Sequence, residues 1–174
     1  MNDKMIPHVW FRTRVRDESI GGDNPYRWDT LTTNEMFRDR KVIVFSLPGA
    51  FTPTCSTYQL PDFEKLHGEF RDLGIDDIYC MSVNDSFVMN AWARQQNIQN
   101  VKVVPDGNGD FTRLMGMLVK KEDVGFGMRS WRYAMLVDDT VILKMWVEPT
   151  MHDNRTDDPY GETSPQNILK YLRD

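Results

Sequence analysis

Cysteine is scarce in this 174-residue chain, which has only Cys55 and Cys80 beside three histidines. Two cysteines cannot build a disulfide framework, and a chain this long does not need one to hold a core. Cys55, Cys80, His8, His67 and His152 show no clustered ligand spacing, so no metal site is expected. Long apolar runs are missing too, and none approaches the roughly 20 residues of a membrane-spanning helix. The stretch from Met1 to His8 has no apolar centre of the kind a secretory signal needs, so a cytoplasmic protein is expected. Nor is there a surplus of positive charge, since 21 basic residues stand against 26 acidic ones for a formal net charge of −5. That balance argues against nucleic acid and anionic membranes as partners.

What the chain does have is a hydrophobic fraction of 40% and an aromatic fraction of 11%, enough for one compact domain over residues 1–174. Val9 to Val15 alternates apolar and basic residues as a half-buried strand does, and Gly21 to Pro25 reads as a loop. Thr33 to Phe37 fits a short helix. Lys41 to Leu47 is a nearly continuous apolar, β-branched run, the mark of a central strand covered on both faces. A long helix is expected from Pro53 to about Leu73, capped by Thr52, kinked or interrupted at Pro61 and ended by Gly74. Further on, the pattern gives a strand at Ile78–Val83, a helix from Asp85 to about Asn97, and a strand at Val101–Val104. Phe111–Met117 fits a short helix, Tyr133–Val137 and Val141–Val147 a strand pair, and Ser164 starts a final helix. This order implies an α/β fold, a mixed central sheet with helices on both faces.

The sharpest feature is Pro48-Gly49-Ala50-Phe51-Thr52-Pro53-Thr54-Cys55, a loop leaving a buried strand with a cysteine in the first helical turn. Open α/β sheets place ligand sites at that edge. Unpaired N–H groups and the positive end of the helix dipole favour a thiolate there. Cysteines at helix starts have pKa values lowered to roughly 3.5–7.5 from about 8.5. The residues alone leave a second reading equally open, a small buried hydrophobe at a helix start. No Cys-x-x-Cys is present, so dithiol exchange lacks its second sulfur.

Pro48-x-x-x-Thr52-x-x-Cys55 matches the active-site motif of the peroxiredoxins, and Pro48 to Ser56 is similar to the peroxiredoxin-5 subfamily. The resemblance continues through Leu60-Pro61, Ser82 to Val88, Trp92, Arg132-Tyr133-Ala134-Met135 and Val147-Glu148-Pro149, covering about residues 41 to 149. It implies a thioredoxin-like fold, no bound cofactor and a thiol peroxidase acting on hydrogen peroxide and alkyl hydroperoxides. Cys55 would be the nucleophile and Thr52 the group orienting the peroxide, a role that competes with capping for one hydroxyl. Pro48 would shield the sulfur, or be a plain turn proline. Arg132 would stabilise the thiolate and hold the peroxide, with Arg129 a local competitor. The N–H groups of Thr54 and Cys55 would be further donors to the peroxide. Phe51 and Trp92 read as packing around the site or as contacts of a homodimer.

The chain departs from some subfamily members in having no cysteine between Asp158 and Asn167, where they carry a resolving thiol. Cys80 lies mid-strand and reads as a packed small residue. The resemblance therefore implies a one-cysteine enzyme re-reduced by an external thiol. Bacterial peroxiredoxin–glutaredoxin fusions are similar to this chain, which ends at Asp174 without room for the second domain. Glutathione with or without glutaredoxin is thus the favoured reductant partner, and thioredoxin is the alternative. A peroxide sensor and a noncatalytic binding module are the rival functions. The module has no evident use for Pro48, Thr52, Cys55 and Arg132 together.

Overall fold

The computed structural model describes residues 4–174, so Met1, Asn2 and Asp3 of the N-terminal reading lie outside the described residues. Trp10–Arg16 (β1) and Tyr26–Thr32 (β2) pair as an antiparallel hairpin, followed by Thr33–Phe37 (α1) and Lys41–Leu47 (β3). Leu60–Lys65 (α2), His67–Asp72 (α3), Asp77–Ser82 (β4), Ser86–Gln95 (α4) and Lys102–Pro105 (β5) come next. Asp110–Leu114 (α5), Leu118–Lys121 (β6), Gly127–Ser130 (β7), Tyr133–Asp138 (β8), Val141–Val147 (β9) and Pro165–Arg173 (α6) complete the order.

The main sheet runs β5–β4–β3–β8–β9, with β3 in the centre as expected from its apolar run. β4 and β5 run parallel to it, β8 returns antiparallel, and β9 pairs antiparallel with β8, which makes the sheet mixed. Side chains alternate across a strand. Accordingly Ile43, Phe45 and Leu47 enter one core, with Phe63, Phe70, Trp92, Ile168 and Leu169 from the helices on that face. Val42 and Val44 enter the other, with Phe37 of α1 and Phe111 of α5. Phe45 stacks on Phe63 with ring centroids 4.0 Å apart. Truncating a buried phenylalanine of this kind costs about 3–5 kcal/mol.

Two caps work as their residues suggest. Asp85 accepts the N–H of Val88 at 2.9 Å, and Ser164 accepts that of Asn167 at 3.2 Å with Pro165 at the helix start.

Other expectations are corrected. The segment after Pro53 is not one helix but a π turn over Cys55–Gln59, then α2 and α3, with the break at Leu66 rather than Pro61. Pro61 lies in the first turn of α2, where a missing N–H does least harm. The π turn precedes it, and Leu60 donates its N–H five residues back to the Cys55 carbonyl. Thr52 does not cap with its side chain; its hydroxyl donates to the Gly49 carbonyl at 2.7 Å. β2 has no counterpart among the expected strands, because Trp28 and Arg27 leave its outer face half-exposed and its alternation weak. β6 and β7, four residues each, are too short for a periodic signal.

Candidate active site

The register explains why distant residues meet. Ser46 of β3 lies opposite Tyr133 of β8, so Arg132 sits one residue further on, level with the end of β3. The Pro48–Thr54 loop leaves the sheet at that same edge and turns back as the helix bearing Cys55. Phe51 takes a left-handed backbone (φ 67°), an uncommon conformation for an aromatic residue and a mark of a constrained turn. The loop is tied down from two sides. Ala50 donates its N–H to Asn84 Oδ1 at 3.0 Å, beyond the end of β4, and Arg129 Nη1 donates to the Pro48 carbonyl at 3.1 Å. A Cβ on Gly49 would run into the Arg129 guanidinium, so glycine is what lets that side chain lie against the loop.

Cys55 is fully buried and faces the guanidinium of Arg132, whose Nη1 and Nη2 each lie 3.5 Å from the sulfur. Arg132 is only 1% exposed. Its Nη1 also donates to Gln59 Oε1, and its Nη2 to both carboxylate oxygens of Asp158 at 2.7 and 2.8 Å. The Tyr160 ring stands 5.6 Å from the guanidinium carbon. Burial works against the Arg132 charge, but the Cys55 sulfur and the Asp158 carboxylate outweigh it and raise its pKa. The group is a fixed cation, whatever the state of its neighbours.

Cys55, Thr52, Pro48, Thr54 and Arg132 therefore meet at one edge of the sheet. Pro48 is buried and Thr52 and Thr54 are half-buried. Arg129 reaches the loop but not the sulfur; its charge is disfavoured by burial, and Phe126 and Pro48 take its hydrogen bonds. Trp92 is fully buried and donates its indole N–H to Ser56 Oγ at 2.9 Å, which rules out the dimer-contact reading and leaves packing. Phe51 is 49% exposed. Gln59 and Asp158 were missed. Gln59 lies four residues after Cys55, a spacing that places two helical side chains together. Asp158 had no local signal, being one of several acids in a polar loop.

Among the described residues no three potential metal ligands cluster, and no helix is long and apolar enough to cross a membrane. A mixed sheet with a buried thiol facing a guanidinium at its edge is the architecture of a thiol-dependent redox protein. The comparisons carry this to the family. The redoxin family model matches residues 28–160. A peroxiredoxin of Rhizobium etli is 61% identical over 171 residues, covering 98% of this chain and 96% of that protein. The hybrid peroxiredoxin of Haemophilus influenzae is 50% identical over 99% of this chain, which spans 66% of the hybrid's length. The solved structure of a Plasmodium falciparum antioxidant protein, described as a 1-Cys peroxiredoxin, superposes with a TM-score of 0.90 at 35% identity over 99% of both chains. The chain belongs to the redoxin family, with a thioredoxin-like fold, and within that family it is a peroxiredoxin, a thiol peroxidase.

Proposed function

We propose that Cys55 is the peroxidatic nucleophile of a one-cysteine cycle, re-reduced by glutathione with or without glutaredoxin. The single observation that carries the assignment is the pair of 3.5 Å contacts from the buried Arg132 guanidinium to the Cys55 sulfur. At that distance a guanidinium and a charged sulfur attract each other directly, an interaction that also holds the sulfur facing the Arg132 fork. The thiolate attacks one oxygen of ROOH. The S–O bond forms as the O–O bond breaks, sulfur is oxidised to sulfenic acid, and RO⁻ leaves and takes a proton to become ROH. Thr52 uses its hydroxyl hydrogen on Gly49, so its lone pairs are left to accept the peroxide proton. The N–H groups of Thr54 and Cys55 and the Arg132 fork stabilise the charge moving onto the leaving oxygen. Pro48 keeps bulk water from the sulfur.

Resolution needs a second thiol, and Cys80 is poorly suited to supply it. Burial first, then the charge of Cys55, pushes the Cys80 thiol well above its ordinary range, although Arg132 pulls the other way. Glutathione attacks the sulfenic sulfur, releasing water and leaving a mixed disulfide. A second glutathione then frees Cys55 as oxidised glutathione departs. The 1-Cys description of the Plasmodium falciparum relative supports the one-cysteine type. The exposed Phe51 on the active-site loop supports a homodimer contact there. The test is peroxide consumption by the protein with glutathione plus glutaredoxin, compared with thioredoxin plus its reductase. Faster turnover with glutathione is expected. Turnover with thioredoxin alone would overturn the reductant assignment and leave the peroxide step standing.

A further inference from the structure

We propose that Asp158 is a specificity-determining latch, whose ion pair with Arg132 holds the strap 156–161 closed and limits by size the peroxides and thiols that reach Cys55. The proposal rests on the reading of Cys55 as the reacting thiol.

The strap is anchored firmly at both ends. On one side Asn154 donates its N–H to the Lys120 carbonyl at 2.8 Å, and its Oδ1 accepts the Glu122 N–H at 2.9 Å. On the other, the buried Glu148 carboxylate accepts the N–H groups of Glu162 at 3.0 Å and Thr163 at 2.9 Å. Between these anchors the attachment is thin. Among the described residues, 156–161 is held by three sets of hydrogen bonds: Asp158 to Arg132, Asp157 to Arg155 (which in turn donates to the Pro149 and Thr150 carbonyls), and the Gly161 carbonyl that accepts the Ser164 N–H; of these, the Asp158 pair alone reaches the buried site. Asp158 is also the outermost member of the chain of groups leading in to the sulfur. Its side chain is 39% exposed, whereas Arg132, Gln59 and Cys55 are buried.

The donor inventory of Arg132 gives the closed strap a chemical consequence. A guanidinium has five N–H bonds. Nη1 serves Cys55 and Gln59, and Nη2 serves Cys55 and Asp158, so all four terminal hydrogens are engaged. Arg132 Nε and the Tyr160 hydroxyl, both buried, have no partner among the described residues. Leaving such groups unpaired disfavours the closed state, and the charge-assisted pair from Asp158 offsets that. When Asp158 leaves, an Nη2 hydrogen becomes free for an incoming ligand and the Tyr160 side of the sulfur opens. A small peroxide needs little room and can react beneath the closed strap from the half-buried Thr52 and Thr54 side, taking over the two Nη hydrogens that face the sulfur while Gln59 and Asp158 keep theirs. A bulky reagent must wait for the strap to open.

The test compares small with large reagents on wild type, Asp158→Ala, Asp158→Asn and Asp158→Glu. Alkylation of reduced Cys55 by iodoacetamide and by a bulky aryl maleimide is timed, along with the stopped-flow rates for hydrogen peroxide and cumene hydroperoxide. The Ala and Asn variants should react faster with the bulky reagents, on the order of tenfold, the factor expected when one charge-assisted hydrogen bond no longer holds the closed state. The rates with iodoacetamide and hydrogen peroxide should move much less, and Asp158→Glu should restore most of the size discrimination. Amide hydrogen exchange at 156–161 should rise in the Ala and Asn variants only. Equal acceleration of large and small reagents, or no acceleration with either, would overturn the latch. Alkylation needs no turnover, so failure of the peroxidase reading would show separately, as a wild-type protein whose Cys55 alkylates but does not consume peroxide.

Discussion

Cys55 and Cys80 enter the same core on the same face of the sheet, and both are fully buried, yet their surroundings differ in kind. Cys55 begins a π turn at the edge of the sheet, with two guanidinium nitrogens of Arg132 at 3.5 Å. Cys80 sits mid-strand in β4, paired with Phe45 on one side and Val103 on the other. Burial alone therefore does not set the fate of a thiol. A fixed cation gives one buried sulfur a charged partner, whereas a buried thiol with no cation in contact packs as a small hydrophobe. The π turn adds to the contrast, because such turns collect at functional sites and this one carries both Cys55 and Gln59.

The most severe way to break the comparison is to remove the sulfur proposed to react. Cys55→Ser should abolish peroxide reduction while keeping the circular dichroism spectrum and a cooperative melt, since the volume changes little. Turnover persisting in a folded Cys55→Ser protein would assign the chemistry elsewhere.

The next is to take away the cation and leave the sulfur. Arg132→Met should slow the peroxide step on the order of 10²–10³-fold, the loss seen for one oxyanion donor. Arg132→Lys should recover only part of it, because a point charge does not reproduce the fork. Stopped-flow rates equal to wild type in the Met variant would separate Arg132 from the reaction.

The smallest effect belongs to the other sulfur. Cys80→Ala should retain peroxidase activity with glutathione and glutaredoxin and lose about 1–2 kcal/mol of stability for the cavity. Its pH dependence is informative. The Cys80 thiol is raised in the folded state, so its contribution to stability is fully present below the ordinary thiol value near 8.5 and is lost as pH rises from there toward the folded value. Cys80→Ala should show a shallower loss of stability above about pH 8.5 in denaturant melts than wild type does. Identical alkaline slopes would mean that Cys80 ionises as freely folded as unfolded.

Much of this architecture was legible in the residues. The β-branched run Lys41–Leu47 predicts the central strand, and Thr33–Phe37, the β8–β9 pair and the capping residues Asp85 and Ser164 read through to the structure. The motif singles out Pro48, Thr52 and Cys55 and the wider resemblance singles out Arg132, and the β3–β8 register explains why a residue so distant in sequence meets the loop. The rest was hidden for physical reasons. The length of the Cys55 helix was overestimated because apolar spacing continues through Leu66, where the backbone breaks (φ −94°, ψ 5°) while Phe63 and Phe70 still reach the same core. Asp158 was invisible because its partner is a tertiary one, and nothing in a loop of several acids marks the one that meets an arginine.

The most direct measurement is to treat reduced protein with one equivalent of hydrogen peroxide in the presence of dimedone, which traps sulfenic acid, and to map the label by peptide mass spectrometry. The account predicts label on Cys55 and none on Cys80. Label on Cys80, or a rapid bridge between Cys55 and Cys80 within one chain, would contradict it.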